Sequence, residues 1–316
     1  MSSNVLSGTR VLVAAAVLLL AACAGPDSSL GGATSASTPP IASTTIPATV
    51  PATVPATVPA TVPATVPITV PITVPAAAAP ATSVVLAEGA LAVFDFAATQ
   101  LAVGTSIEGR PITADRYGTP GGRRVLVIGV IHGDEDAGVA IIDELRERDV
   151  PDGVELWVIE SMNPDGQAAQ NRQNANQVDL NRNFPHKWGV IGEPGNSQYA
   201  GTGPASEPET QAMVNLITQL RPDIAVWYHQ DANLIIPSTG RDGRIRARYA
   251  ELTALPLADC CGGGGVYTGI AASWAKNELQ KDSDAVAFIV ELPGGVLSTQ
   301  QVNAHANAVL TIGIEG

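Results

Sequence analysis

The stretch "VIGVIHGDEDAGVAIIDEL", residues 127–145, decides the fold class of this chain. An apolar run rich in β-branched residues, 123–131, ends at the polar segment "HGDED", and apolar residues then recur at helical spacing. The first run is typical of a strand buried in a parallel sheet, and the second is typical of an amphipathic helix. Strand, loop and helix in this order predict one repeat of an α/β fold.

The same alternation continues on both sides of this stretch. We predict a turn and an edge strand over 106–118, a buried strand ending in an "NPDG" turn over 154–166, and a helix over 206–220. The runs "DIAVWYHQ" and "AVAFIVELPGG" predict two more strands, and "TQQVNAHANAVLTIGI" predicts a closing helix. The pattern therefore predicts a single α/β domain with a mixed, largely parallel central sheet flanked by helices.

Two helix starts carry acids that we assign to the helices themselves. Ser206 and Glu209 have the spacing of a capping box, which would also account for Glu207. Asp134 and Asp136 precede the helix after "HGDE" and are expected to orient neighbouring groups or to favour its N-terminus.

The N-terminus has the pattern of an export signal. Residues 1–22 hold Arg10 followed by an apolar run that is too short to span a bilayer. The run ends in "LAAC", which resembles the lipobox of bacterial lipoproteins, so Cys23 is the expected lipidation site. Ordinary cleavage near "AACA", with Cys23 only adjacent to the cut, is the alternative.

A low-complexity segment rich in Pro, Thr, Val and Ala follows, over residues 23–83. The tetrapeptide "PATV" occurs five times in succession from Pro47, and "PITV" follows twice. A proline at every fourth position prevents regular helix or ladder hydrogen bonding and favours extended polyproline geometry. We predict a disordered stalk that separates the domain at 84–316 from a membrane, although an inert tail has the same composition.

Net charge and cysteine spacing limit the partners and the bonds that this chain is expected to form. The chain has 17 basic and 30 acidic side chains, a net charge of −13, which argues against nucleic acid or anionic lipid as the main partner. Cys260 and Cys261 are neighbours, closer than usual disulfide geometry allows and without metal-site spacing, so reduced thiols remain as plausible as a strained bridge.

Four side chains with metal or acid–base chemistry are predicted at one edge of the sheet. His132 and Glu135 follow one strand, His229 ends a second and Glu291 ends a third. Ligands of open α/β sheets collect at the carboxyl ends of the strands, so these groups are expected to converge. Two imidazoles and a carboxylate suit a hydrolytic Zn²⁺ site with an open position. An isolated "HGDE" would more often be a polar helix start.

Six motifs resemble one family and occur in its order. They are "HGDE", "NPDG", "RQNANQVDLNRNFP", "SEPET", "WYHQ" and "FIVELPGG", and together they span roughly 84–316. The chain is similar to the zinc metallocarboxypeptidase family (the carboxypeptidase A-like superfamily), and most closely resembles its bacterial murein peptide amidase branch. The resemblance implies that His132, Glu135 and His229 bind one Zn²⁺ and that Glu291 is the general base.

The resemblance also implies roles for four further residues. Arg172 looks like the group that polarises the scissile carbonyl, although a solvated surface arginine is the alternative. Asn181 and Arg182 look like the pair that binds a substrate carboxylate, although Arg182 in a buried salt bridge is the alternative. Tyr267 is similar to the tyrosine that covers family active sites.

These inferences predict an exported, lipid-anchored zinc hydrolase at the outer face of the cytoplasmic membrane or in the cell wall. We expect it to cleave a peptide amide bond at or near a free C-terminal carboxylate, with peptidoglycan stem peptide as substrate. The alternatives are a zinc deacylase that resembles desuccinylases and aspartoacylases, and a lipoprotein that only binds wall peptide. The sequence does not predict the oligomeric state.

Overall fold

The computed structural model of this protein describes residues 92–259 and 267–316. The predicted signal at 1–22, the lipidation site Cys23, the stalk to residue 83 and the pair Cys260–Cys261 lie outside these described residues, so they stay predictions. Within the described ranges, no helix has both the length and the hydropathy needed to cross a membrane.

Helices and strands alternate along the described chain. The strands are β1 (Gln100–Thr105), β2 (Pro111–Gly118), β3 (Arg123–Val130), β4 (Val154–Ser161), β5 (Ile224–Leu234) and β6 (Val286–Pro293). The helices are α1 (Gly138–Arg146), α2 (Pro164–Ala169), α3 (Pro208–Leu220), α4 (Gly240–Thr253), α5 (Ala271–Leu279) and α6 (Thr299–Glu315), with a short 3₁₀ turn at Leu180–Arg182.

The described strands form one six-stranded mixed sheet in the order β1-β2-β4-β3-β5-β6. Strands β4, β3, β5 and β6 run parallel, whereas β1 pairs antiparallel with β2 and β2 pairs antiparallel with β4. The predicted fold class is therefore confirmed. The prediction of β2 as an edge strand is wrong, because β1, which buries Leu101 and Val103, covers its outer side.

Two apolar layers sandwich the sheet, and β5 supplies side chains to both. Val226 and Tyr228 face the layer that contains residues of α1, α4 and α6, whereas Ala225 and Trp227 face the layer that contains residues of α3 and α5. Since side chains alternate along a strand, His229 lies on the face of Trp227, two positions beyond the last residue of β5 that pairs with β3. Strand β5 continues to Leu234, so the prediction that His229 ends its strand is wrong.

Three predicted local features differ in the structure. The "NPDG" segment is the start of α2, where the Asn163 side chain caps the helix by accepting a hydrogen bond from the Gly166 N–H. Helix α3 has no capping box, because Pro208 occupies its first turn and the cap position falls on Glu207, which makes no capping bond.

The N-terminus of helix α1 also differs from the prediction. It begins after Ala137, with no side-chain cap and no acid in its first turn. Asp134 and Asp136 thus lie before the first turn, and for Asp136 the structure supports the other alternative, that it orients a neighbouring group. Asp136 accepts a hydrogen bond from the Gln170 side chain at 3.2 Å.

Candidate metal centre and active site

The structure brings His132, Glu135 and His229 together, with one ligand atom of each inside a cluster 4.8 Å across. The Glu135 carboxylate lies between the rings, with Oε1 2.8 Å from Nδ1 of His132 and Oε2 2.8 Å from Nδ1 of His229. The two Nδ1 atoms are 3.1 Å apart. These distances place two imidazole nitrogens and a carboxylate around one point.

The glycine of "HGDE" allows this loop to reach its position. A Cβ atom on Gly133 would lie 1.9 Å from the backbone carbon of Gly166, so only glycine fits against α2. The Asn163 side chain donates to the carbonyl of Ile131 at 3.0 Å, which ties the end of β3 to the start of α2. The loop after β3 is therefore fixed by α2, the element that "NPDG" begins.

Asp179 supports the cluster, and sequence reasoning missed it as a site residue. Its fully buried carboxylate lies 3.0 Å from Nε2 of His132 and accepts the backbone N–H of Asn181 at 2.9 Å. A ring N–H that donates from Nε2 leaves the Nδ1 lone pair of His132 free to bind a metal. The "DLNR" run contains Asp179, but it ends no strand, so the strand-end rule could not identify it.

The donor set fits a zinc ion. Nδ1 of His132 faces a ring nitrogen of His229, a carboxylate oxygen of Glu135 and a guanidinium nitrogen of Arg172 at once, more partners than one nitrogen can satisfy. A cation among these atoms would relieve the conflict. Neutral imidazole and ionised carboxylate are the ligands that Zn²⁺ takes.

The protonation states of the three groups depend on their surroundings. Burial opposes ionisation of Glu135, but hydrogen bonds from His132 and His229 hold its pKa well below the usual range. Burial lowers the pKa of His229 to about 4. Burial also disfavours the charged form of His132, but the Asp179 carboxylate outweighs it and raises the pKa of His132. Metal binding is therefore expected to release a proton from His132.

Glu291 lies beside this cluster on the neighbouring strand. It is the register partner of His229 in the parallel pair of β5 and β6, and parallel partners point to the same face. Burial, followed by the negative charge of Glu135, raises the pKa of Glu291 to about 7. A carboxyl group that changes protonation near neutral pH is suited to accept and return a proton.

Arg172 faces the cluster, and the alternative of a solvated surface arginine is wrong. Its Nε and Nη2 donate to one oxygen of Asp179 at 3.1 and 2.8 Å, and its Nη1 donates to Glu135 at 2.9 Å. Asp179 thus holds both the His132 ring and the Arg172 guanidinium. This contact fixes the arginine at the edge of the candidate metal centre.

Arg182 is a buried cation, and the alternative of a buried salt bridge is wrong. It is 5% exposed, and none of the ion pairs among the described residues includes it. Its Nη1 donates to the carbonyl of Asn181 at 3.0 Å, whereas its buried Nε has no partner within the described part of the chain. Burial lowers the pKa of Arg182, and the negative charge of Asp179 only partly offsets this.

Two neighbours complete the surroundings of this guanidinium. The Asn181 side chain accepts the backbone N–H of Ala271 at 2.9 Å, and its amide nitrogen lies 3.4 Å from Nε2 of His229. The Tyr267 ring lies 5.4 Å from the guanidinium carbon of Arg182, and the side chain is 51% exposed. An anion that binds Arg182 would therefore lie between the candidate metal centre and a tyrosine that solvent reaches.

Glu207 and Glu209 hold the loop that carries these groups. The Asn174 amide donates to Glu207 at 2.9 Å and to Glu209 at 3.1 Å, and Asn176 also donates to Glu207 at 2.9 Å. Assigning both acids to a capping box was wrong. Their carboxylates instead hold residues 174–176, which lie between Arg172 and Asn181 in the sequence.

The profile of the protein family described as "Zinc carboxypeptidase" matches residues 94–253. This range includes the three candidate ligands, Arg172 and the pair Asn181–Arg182, but it ends before Tyr267 and Glu291.

The proteins similar to this chain include a curated relative and two solved structures. Murein peptide amidase A of Escherichia coli (strain K12) is 32% identical over 148 residues, 43% of this chain and 60% of that protein. The crystal structure of murein-tripeptide amidase from Escherichia coli O157 matches with a TM-score of 0.54 and 27% identity, covering 67% of this chain and 92% of that one. The carboxypeptidase A from Helicoverpa armigera matches with a TM-score of 0.58 and 18% identity, covering 69% and 68%, which shows a shared fold.

The chain spans about 60% of the length of the curated amidase that it matches.

Proposed function

This chain belongs to the zinc carboxypeptidase family, and on that premise we propose that it hydrolyses a peptide amide bond at or near a free C-terminal carboxylate. The observation that carries the proposal is the buried guanidinium of Arg182, which lacks a counter-ion among the described residues. It lies next to Asn181, whose side chain contacts His229 of the candidate metal centre. An anionic chain end at Arg182 would place the preceding amide bond near the His–Glu–His cluster.

The candidate centre would hold zinc through His132, Glu135 and His229. Zinc, when bound, supplies Lewis-acid chemistry, which polarises a carbonyl and makes water more acidic. Asp179 keeps the His132 ring oriented by accepting from Nε2, and hydrogen bonds of this kind strengthen ligand basicity.

The neighbouring side chains then perform the proton and charge steps. Glu291, the register partner of His229 on the neighbouring strand, accepts a proton from the attacking water and returns it to the leaving amine. Arg172, held by Asp179, donates to the oxygen on which negative charge develops. Arg182 and Asn181 bind the C-terminal carboxylate with a planar fork of N–H groups and an amide.

Peptidoglycan stem peptide is the substrate that we propose. Similarity to murein peptide amidase A supports it, since that relative is 32% identical over 148 residues. The low-complexity segment at 23–83 also supports it, because an extended spacer would carry the domain from a membrane into a cell wall.

We further propose, from the sequence, that the protein is exported and anchored by a lipid on Cys23. Expression of the full chain in a bacterium fed a labelled fatty acid tests this proposal. Label in the wild-type chain and no label in Cys23→Ser is the expected result. An unlabelled wild-type chain would exclude the lipid anchor without affecting the proposed chemistry.

The hydrolytic proposal is tested with the zinc-loaded protein and matched peptides. A stem peptide and an ordinary peptide are each supplied with a free C-terminal carboxylate and as the C-terminal amide, and products are identified by mass. We expect cleavage of the free acids and loss of at least about 100-fold in rate for the amides, because a buried cation would lose its partner. Equal rates for acid and amide would exclude Arg182 as the carboxylate site.

The same panel separates the alternatives. Cleavage of N-succinyl or N-acetyl amino acids in preference to peptides would indicate a deacylase. Zinc and peptide binding without any product would indicate a binding protein. An Arg182→Met variant serves as the matched control, since it should cleave the free acid as slowly as the wild type cleaves the amide.

A further inference from the structure

We propose that Gln230 is a positioning residue, which fixes the loop of the candidate metal ligands relative to the strand end that bears Glu291. The proposal rests on the proposed function, since it concerns the geometry of the same site. Gln230 follows His229 directly in β5 and is half-buried. Its side chain is not one of the groups placed around the metal or the substrate carboxylate.

Four hydrogen bonds connect Gln230 to both sides of the site. Its backbone N–H donates to Oε2 of Glu135 at 3.1 Å, and its side-chain Oε1 accepts the N–H of Ala137 at 3.0 Å. Its side-chain Nε2 donates to the carbonyls of Pro293 at 3.0 Å and Gly295 at 2.9 Å. One residue therefore contacts the loop after β3 and the loop after β6.

The sheet order shows why this connection matters. Strands β3 and β6 lie on opposite sides of β5 and do not pair with each other. Glu291 is placed by the pairing of β6 with β5, whereas Glu135 lies in the loop after β3, beyond the last β3–β5 pair. No strand-pairing hydrogen bond therefore places Glu135 relative to Glu291. Gln230, which extends from the middle strand, bonds to the backbone beyond each of these acids.

The amide group is matched to this task. A glutamine side chain offers two N–H donors and one carbonyl acceptor, and here both donors meet carbonyls while the acceptor meets an N–H. Glutamate would keep the acceptor and lose both donors. Methionine has similar length and flexibility and would lose all three side-chain bonds while filling the same space.

Loss of the Gln230 side-chain bonds would misplace the reacting groups without removing any of them. Misplacement by about 1 Å can lower a rate about 100-fold, even when the altered residue touches no reacting atom. We expect Gln230→Met to reduce kcat about tenfold, because the base and the metal ligands would sit less accurately. KM should stay within about twofold, since Asn181 and Arg182 are not bonded to Gln230.

The experiment compares the zinc-loaded wild-type chain with Gln230→Met, Gln230→Glu and the control Gln211→Met. Gln211 is exposed on α3, and among the described residues its side chain bonds only to the carbonyl of Ala205. Hydrogen–deuterium exchange of peptides that contain the Ala137 amide is read by mass spectrometry, together with zinc content, kcat and KM.

If Gln230 holds the loop after β3, hydrogen exchange of the Ala137 amide should accelerate at least about tenfold in Gln230→Met. It should stay slow in Gln230→Glu, which retains the acceptor, and should be unchanged in Gln211→Met. We also expect lower kcat in Gln230→Met with zinc retained. Unchanged exchange, or a kcat within about twofold of wild type, would overturn the proposal. If the wild-type chain cleaves no peptide, the proposed function fails, and the exchange result alone still decides whether Gln230 anchors the loop.

Discussion

Two buried histidine clusters lie on opposite faces of the same strand. Within β5, His229 packs with His132 and Glu135, whereas the preceding residue, Tyr228, points into the apolar layer that contains residues of α6. There the Tyr228 hydroxyl lies 2.8 Å from that of Tyr249, which lies 2.9 Å from Nδ1 of His305. His229 is 3% exposed and His305 is 2% exposed, so burial does not distinguish them.

The difference lies in the charge of the partners. Burial lowers the pKa of both His229 and His305 to about 4. His229 contacts the Glu135 carboxylate, whose pKa is held low. Among the described residues, the hydrogen-bond partner of His305 is the Tyr249 phenol, whose pKa burial raises. A cation is therefore compensated in the first cluster and not in the second. Anionic partners, rather than buried imidazole, mark the metal site.

Removing the anionic partner of His229 should have the largest effect, because it makes the metal site resemble the cluster around His305. Glu135→Gln keeps the shape of the side chain but removes its charge, so zinc affinity should fall by more than the roughly 10–100-fold that loss of an outer-sphere partner causes. Peptide hydrolysis should be lost with the metal. Zinc content after dialysis, measured by mass spectrometry, checks this. His305→Gln is the matched control and should bind zinc like the wild type.

Replacing the proposed base should separate chemistry from metal binding. Glu291→Gln should retain zinc, because Glu291 is not a ligand, and should lower kcat roughly 10³-fold, within the range that general acid–base groups supply. Single-turnover rates and zinc content on one preparation provide the measurement. A variant with near wild-type kcat would remove Glu291 from the mechanism.

The buried cluster of Tyr228, Tyr249 and His305 should make the stability of the fold depend on pH. The pKa of His305 is about 4 in the folded chain and 6.5 ordinarily, so the unfolded chain binds the proton first as pH falls. The free energy of unfolding is therefore unaffected by this histidine above pH 6.5, and it falls between about pH 6.5 and 4, by up to about 3 kcal/mol. Urea unfolding at several pH values should give a shallower dependence for His305→Gln. Parallel curves would show that His305 is not protonated on unfolding.

The sequence predicts the larger part of this fold because its buried strands are long and continuous. The runs that became β3, β4, β5 and β6 are apolar on both faces, and the metal and base candidates lie just after β3 and within β5 and β6. The rule that strand ends meet at one edge was sufficient to bring His132, His229 and Glu291 together. Strand β1 was missed because it is short and buries only alternate residues.

The supporting residues could not be predicted by the same rule. Asp179 bonds to His132, 47 positions away in sequence, and Gln230 bonds to Pro293, 63 positions away. Glu207 and Glu209 have the spacing of a helix cap, and only the tertiary contacts with Asn174 show another role. Local pattern identifies the groups that meet the metal, whereas long-range packing decides which groups orient them.

The most direct test of the central claim is a titration of zinc into the metal-free protein while release of the C-terminal residue from a free-acid peptide is followed. The rate should rise in proportion to added zinc and level off at one equivalent, and Glu135→Gln should stay inactive over the same range. A rate that is independent of zinc, or no turnover at any zinc content, would contradict the assignment of His132, Glu135 and His229 as the metal centre of a peptide hydrolase.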